Sequence, residues 1–182
     1  MRVEPIRDKE LIRECMEYLK LKNEKYYIMF CIGIFTSLRI SDILQLKVRD
    51  VYCKNRISIK QKKTKKYIDI PINNELKKIL KEYCKDKPGY WYLIKSRIGS
   101  NKPLSKTMCY KVLRDMAEYL NIDRVGCHTM RKTGAYHMYK QSKNNIGTVM
   151  KILGHKDPSV TLMYIGITTE DVDNTIRKLK YW

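Results

Sequence analysis

The sequence predicts an α+β domain that is mainly helical, with one small antiparallel β-hairpin. Three observations lead there. Apolar residues recur at three- and four-residue steps along most of the chain, the pattern of helices that bury one face. Clear apolar–polar alternation is confined to Ile57/Ile59 and Ile68/Ile70, on either side of a basic turn. Residues that start or stop helices stand at the ends of the periodic stretches. With 182 residues, 43% of them hydrophobic, and 14 tyrosines, the chain can build one real core but not two full-sized domains.

In order, Asp8 caps a helix whose apolar positions are Leu11, Ile12, Cys15, Met16 and Leu19. A more apolar helix over Tyr26 to Phe35 is central. Ser37 caps a short helix through Leu46, with Ile40, Ile43 and Leu44 on one side and Arg39 and Asp42 near its start. The hairpin follows, turning through Gln61 to Lys66 and ending at Pro71, and Tyr90 to Ile94 is a candidate third strand. Asn74 opens an amphipathic helix carrying Leu76, Ile79, Leu80 and Tyr83. From Ser105 onward the pattern is helical: a stripe of Met108, Val112, Met116 and Leu120, then His128 to Tyr139, then Asn145 to Leu153, closed by Gly154. Asp157-Pro158 restarts a short helix with Val160, Met163 and Tyr164, and Thr168 to Asp171 reads as a capping box before the stripe Val172, Ile176, Leu179.

Charge narrows the function. Against 19 acidic residues stand 38 Lys and Arg, a net +19 spread along the whole chain, which points to one domain with a basic face and a polyanionic partner, nucleic acid first. The longest apolar stretch, Tyr26 to Phe35, is half of the roughly 20 residues that a membrane-spanning helix needs, and the N-terminus is no signal peptide, so a cytoplasmic, membrane-free location is expected. Six scattered cysteines, with no Cys-x-x-Cys pair, read as reduced and mostly buried thiols rather than a zinc site or a disulfide framework.

If the polyanion is DNA, the chain shows no acidic cluster of the kind that gathers divalent cations; Glu170, Asp171 and Asp173 read as caps of the terminal helix. A route without a metal or other cofactor needs arginines for the phosphate, an acid for the leaving oxygen and a side-chain nucleophile. His128-Thr129-Met130-Arg131 puts an imidazole and a guanidinium on one helix face, His155 follows Leu153-Gly154 just past a helix end, and Tyr164 comes nine residues later. Singly each is bland: a chance His-x-x-Arg, a C-cap histidine, one tyrosine among 14. The combination is the signal.

These residues, with Thr36-Ser37-Leu38-Arg39-Ile40-Ser41-Asp42-Ile43 and Gln61-Lys62-Lys63-Thr64, resemble the motif set of the tyrosine recombinase (phage integrase) family over essentially the whole chain, with Ser37 where a glycine is common. The resemblance implies the helical catalytic domain of that family and a site-specific DNA strand transferase that works through a 3′-phosphotyrosyl intermediate without metal or ATP. It assigns Arg39 and Arg131 to the scissile phosphate, Tyr164 as nucleophile, His128 as base, Lys63 as acid for the 5′ oxygen, His155 as a hydrogen-bond donor to the phosphate and Asp42 as support. A slip of register would move the acid to Lys62 or Lys65. Lys62, Lys65, Lys66, Arg124 and Lys132 are expected on the DNA backbone, and His137, which fits no motif, is read as structural. A DNA-binding regulator that kept the fold without the reaction, and a topoisomerase IB-like relaxing enzyme, are the alternatives.

The resemblance begins within the first dozen residues, so the N-terminal core-binding domain of a typical integrase is absent from the expected organisation, and residues 1–182 read as a catalytic domain with a tail helix over about 168–182. Either an isolated catalytic domain or a short recombinase fits. The tail stripe suits packing on a neighbouring protomer or back on its own body; a monomer alone and a tetramer on paired double-stranded DNA sites are expected. With half of the clamp missing, binding to duplex DNA should be weak and fall steeply with salt, because counterion release dominates it. A binding isotherm that stays tight between low and physiological salt would contradict this.

Overall fold

The computed structural model describes residues 3–167, 173 and 176–180. Its elements run α1 (Lys9–Lys22), α2 (Glu24–Thr36), α3 (Ile40–Ile43), α4 (Val48–Val51), β1 (Arg56–Lys60), β2 (Tyr67–Pro71), α5 (Asn74–Cys84), α6 (Lys106–Tyr119), α7 (Cys127–Gln141), α8 (Ile146–Leu153) and α9 (Pro158–Ile165). Among the described residues, the mainly helical α+β fold with one antiparallel hairpin is as expected. The capping box at Thr168 to Asp171 and Val172 of the tail stripe lie outside the described residues.

Local chemistry sets the boundaries. The side chains of Asp8, Asn73, Ser105, Asn145 and Asp157 each accept a backbone N–H in the first turn of α1, α5, α6, α8 and α9. The α5 cap is thus Asn73, one residue before the expected start. Gly154 and Gly166 end α8 and α9 in the left-handed conformation, where a missing Cβ removes the steric cost.

Helix α2 is the hub. Its residues Ile28 to Gly33 are all buried, and α1, α5 and α7 pack around it. The closest approach is to α7: a Cβ added at Gly134 would lie 2.2 Å from the Ile34 carbonyl oxygen, and one at Gly33 2.7 Å from the Met130 Cβ. A smaller apolar cluster, Ala135, Val149, Leu153 and Ile165, joins α7, α8 and α9, with Tyr164 against its edge. On α9 the buried positions are Thr161 and Ile165, whereas Val160 and Met163 are exposed, so that helix buries a different face from the one its apolar residues suggested.

In the hairpin Ile57 pairs with Ile70 and Ile59 with Ile68, which sends the isoleucines to one face. Tyr90 to Ile94 does not extend this sheet. Val48 donates to the Trp91 carbonyl (2.9 Å) and Leu93 to the Leu46 carbonyl (2.8 Å), so the segment lies on the 46–48 stretch with only an isolated bridge, Lys47 to Tyr92. Leu93 and Ile94 are both buried, and two consecutive buried residues break the alternation a half-exposed strand needs.

Cys15, Cys31, Cys84 and Cys109 are buried, Cys127 is half-buried and Cys53 is exposed; all are free thiols. Burial pushes Cys15, Cys31 and Cys109 up to about 12 and Cys84 to about 11, which keeps them protonated. No helix among the described residues is long and apolar enough to cross a membrane.

Gly134→Ala must force α2 and α7 apart, because backbone rather than a movable side chain fills the space. A loss of at least about 2 kcal/mol in denaturant unfolding is expected, at the upper range for overpacking. An unchanged midpoint would show that the two helices are not held at this distance.

Candidate active site

Ser37 follows the last turn of α2 and closes it in the left-handed conformation, φ 52°. It therefore ends α2 instead of capping the next helix, and Arg39 takes the N-terminal position of the single-turn α3. Arg39 has an extended backbone and caps nothing with its side chain, and its Nη1 is buried with no hydrogen-bond partner. Three residues on, Asp42 is fully buried and its Oδ1 accepts the Lys62 amide at 2.9 Å. That bond fastens the hairpin turn to α3. Gln61, buried at the turn's entrance, holds it from inside: its amide donates to the Lys66 carbonyl at 2.8 Å, its carbonyl accepts the Lys65 amide at 3.0 Å, and its side chain accepts the Thr64 hydroxyl. Lys62, Lys63, Lys65 and Lys66 are left exposed.

Helix α7 carries the next pair. Gly126 starts it, its amide donating to Thr129 Oγ1 at 3.1 Å and its carbonyl accepting the Thr129 amide at 2.9 Å. Arg131, 2% exposed, donates from Nη1 to the Ser37 carbonyl (2.5 Å) and from Nη2 to the Leu153 carbonyl (2.9 Å). The guanidinium also hydrogen-bonds the Tyr164 side chain, which joins the arginine directly to the tyrosine. One turn earlier, His128 Nδ1 lies 3.2 Å from the Tyr164 hydroxyl. His155, after the α8 C-cap, meets Thr161 Oγ1 through Nδ1 at 3.0 Å and stands edge-on to the Tyr164 ring, centroids 5.3 Å apart at 80°. The Arg131 guanidinium is 5.8 Å and the Lys132 ammonium 5.4 Å from that ring.

The structure thus gathers His128, Arg131, His155 and Tyr164 in direct contact, with Arg39 and Lys63 within electrostatic reach. Burial first, then Arg131, Arg39, Lys132 and Lys63, holds His128 below its ordinary value. Lys63, on the hairpin turn, is among the charges that act on this imidazole. Burial, Arg131 and Arg39 likewise hold His155 down. Both imidazoles are neutral at pH 7. Burial raises the Tyr164 phenol, while Arg131 and Arg39 oppose the rise.

One expectation changes at this level. Lys132 does not face solvent: it is buried, and its Nζ donates to the Val3 carbonyl at 2.9 Å. It packs inside, behind Tyr164, and not on the surface where backbone contacts to DNA are made. Arg124 is exposed at a left-handed turn, φ 55°. His137 donates from Nε2 to the Ile6 carbonyl at 3.1 Å, in keeping with a structural reading. Sequence reasoning passed over Thr161, which orients His155; its place three residues before Tyr164, on the same helix face, was the available clue. Among the described residues no three His, Cys, Asp or Glu side chains are grouped as a metal site.

A fold of this kind, with an arginine buried between two helix ends and a tyrosine on a separate short helix packed against it, is that of a tyrosine recombinase catalytic domain. A sequence model of the phage integrase family matches residues 7–171, and the chain belongs to that family. It is 43% identical over 173 residues to the probable integrase/recombinase YoeC of Bacillus subtilis (strain 168), covering 95% of this chain and 93% of that one. More distant tyrosine recombinases, 23–28% identical, are matched over about half of their own length. The fold is similar to the crystal structure of XerA recombinase, with a TM-score of 0.77 at 18% identity over 98% of this chain and 66% of that chain. It is also similar to XerH site-specific recombinase in a post-cleavage complex with palindromic difH substrate, with a TM-score of 0.75 at 21% identity over 94% and 51%.

Ser37 is strained: it occupies the left-handed region and its buried hydroxyl has no partner. Ser37→Gly should raise stability by about 1 kcal/mol, since relief of the backbone conformation and of the unpaired hydroxyl outweighs the added freedom of the unfolded chain. A lower thermal midpoint for the variant would refute this account of the turn.

Proposed function

We propose that this chain is a site-specific DNA recombinase that cuts and rejoins strands through a 3′-phosphotyrosyl intermediate, with Tyr164 as nucleophile. The contact of Tyr164 Oη with His128 Nδ1 at 3.2 Å carries the reading. The phenol O–H donates, the neutral imidazole accepts, and nucleophile and base already stand at hydrogen-bond distance within one chain.

In this reading Oη attacks the scissile phosphorus as its proton passes to His128, and the bond from phosphorus to the 5′ oxygen breaks. Lys63 supplies the proton that makes the departing oxygen a 5′ hydroxyl. The phosphate stays on Tyr164, and attack by a 5′ hydroxyl reverses the sequence with no net loss of a phosphodiester. Arg39, with its unpartnered Nη1, and Arg131, whose guanidinium stands at Tyr164, hold the non-bridging oxygens as charge builds on them. His155, kept in place by Thr161, donates to the same phosphate. Asp42 acts by holding the turn that bears Lys63. Lys62, Lys65, Lys66 and Arg124 contact the duplex backbone. The unpartnered buried Arg39 Nη1 favours an enzyme over a silent DNA-binding regulator, which needs no cation there.

On paired DNA sites the C-terminal segment joins protomers into a tetramer. Ile176 and Leu179, 60% and 55% exposed in the single chain, support its docking outward over packing on its own body.

Incubation with a nicked suicide substrate carrying its recombination site should yield a covalent protein–DNA complex that Tyr164→Phe abolishes. Because His128 is held low, cleavage should be on its plateau at pH 7 and fall as His128 becomes protonated at lower pH. His128→Ala should slow it by about 10²-fold or more. No covalent species on the cognate site would sink the enzyme reading.

A further inference from the structure

The segment before α1, residues 3–7, is bound along α7 and reaches the end of α9. The Ile6 amide donates to Thr133 Oγ1 at 2.9 Å and its carbonyl accepts from His137 Nε2, while the Val3 carbonyl accepts from Lys132 Nζ. These contacts fix the strap along α7, with Lys132 the point at which it comes near Tyr164. From it, Arg7 extends over the Tyr136 ring (5.5 Å) and donates from Nη2 to the Gly166 carbonyl at 2.5 Å.

Gly166 is the C-cap of α9 and lies two residues after Tyr164. Its conformation, φ 67°, turns the chain against the strap: a Cβ there would sit 3.2 Å from Arg7 Nη2 and 3.3 Å from Glu4 Oε2. Helix α9 has eight residues, too few to be stable alone, so its position depends on what holds its ends. Asp157 and Pro158 secure the start. At the other end the last carbonyls lack partners within the helix and carry its negative pole, and a guanidinium answers both. Tyr164 sits in that last turn. The strap also approaches Tyr164 by a second route, through Lys132 between the Val3 carbonyl and the tyrosine ring.

We propose that Arg7 is a positioning residue for the reaction: by clasping the Gly166 carbonyl it holds the last turn of α9 and keeps Tyr164 Oη at His128. The proposal rests on Tyr164 being the nucleophile. It places a determinant of cleavage outside the motifs, on a segment that meets the site only through α7 and α9.

The test compares wild type, Arg7→Ala and Arg7→Lys in the intact chain. At saturating protein on the suicide substrate, Arg7→Ala should form the covalent complex about fivefold more slowly, the effect of losing one exposed charge-assisted bond, with unchanged DNA affinity and thermal midpoint. Arg7→Lys, which can still donate to the carbonyl, should recover most of the rate. Without DNA, amide hydrogen exchange over residues 158–166 should quicken in Arg7→Ala and return towards wild type in Arg7→Lys. Cleavage by Arg7→Ala at the wild-type rate, unchanged exchange in that segment, or a loss confined to DNA affinity would each overturn the proposal. No covalent complex from wild type would instead overturn the nucleophile assignment itself, a result told apart by the failure of the unmutated chain.

Discussion

Two bonds from one buried guanidinium organise this domain. Arg131 reaches from α7 to the carbonyl of Ser37, just past α2, and to that of Leu153, at the end of α8. Both acceptors are chain-end carbonyls that a helix cannot satisfy internally, and a charge this deep needs such partners to offset its desolvation. Three helices thereby converge at one residue. The absence of side chains at Gly33 and Gly134 lets α2 and α7 approach closely enough for that reach. Arg39 and Asp42 follow from the same geometry, because the left-handed turn at Ser37 sets where α3 begins.

Around Arg131 the field is strongly positive, with Arg39, Lys63 and Lys132 close by and Asp42 the buried carboxylate that faces them. The two ion pairs among the described residues, Arg13–Glu10 and Arg56–Asp69, are exposed and leave this field intact. Mutual repulsion makes the cation cluster costly, a cost that an anion placed among these groups would relieve. Burial, with this field added to it, holds both histidines below their ordinary value. The net +19 divides accordingly: a few cations gathered around Arg131, and a larger number left on the outside.

Helix ends were the most legible feature, since Asp8, Ser105, Asn145, Asp157 and Gly154 act through local chemistry that needs no tertiary partner. The hairpin and its register followed from four isoleucines at period two. Ser37 was misread because serine favours N-caps; only the packing of α2 on α7 puts it in a conformation that suits glycine. Lys132 was misread for a related reason. Residues Thr129 to Ala135 are all buried, because α2 covers one side of α7 and the strap of residues 3–7 another, so no solvent-facing stripe exists from which to judge a lysine. His128, Arg131, His155 and Tyr164 were visible as spacings and Thr161 only through its place one turn before Tyr164, but Arg7 bears no mark until the chain is folded.

Tyr164 meets His128 of its own chain in the absence of DNA or a second protomer. Ownership of the two groups therefore has a genetic meaning. With Tyr164 as the proposed nucleophile and His128 as its proposed base, a chain lacking the tyrosine and a chain lacking the imidazole should not complement one another, because neither can lend its surviving group to the other's site. On that assignment each protomer stands or falls as a cutting unit by itself.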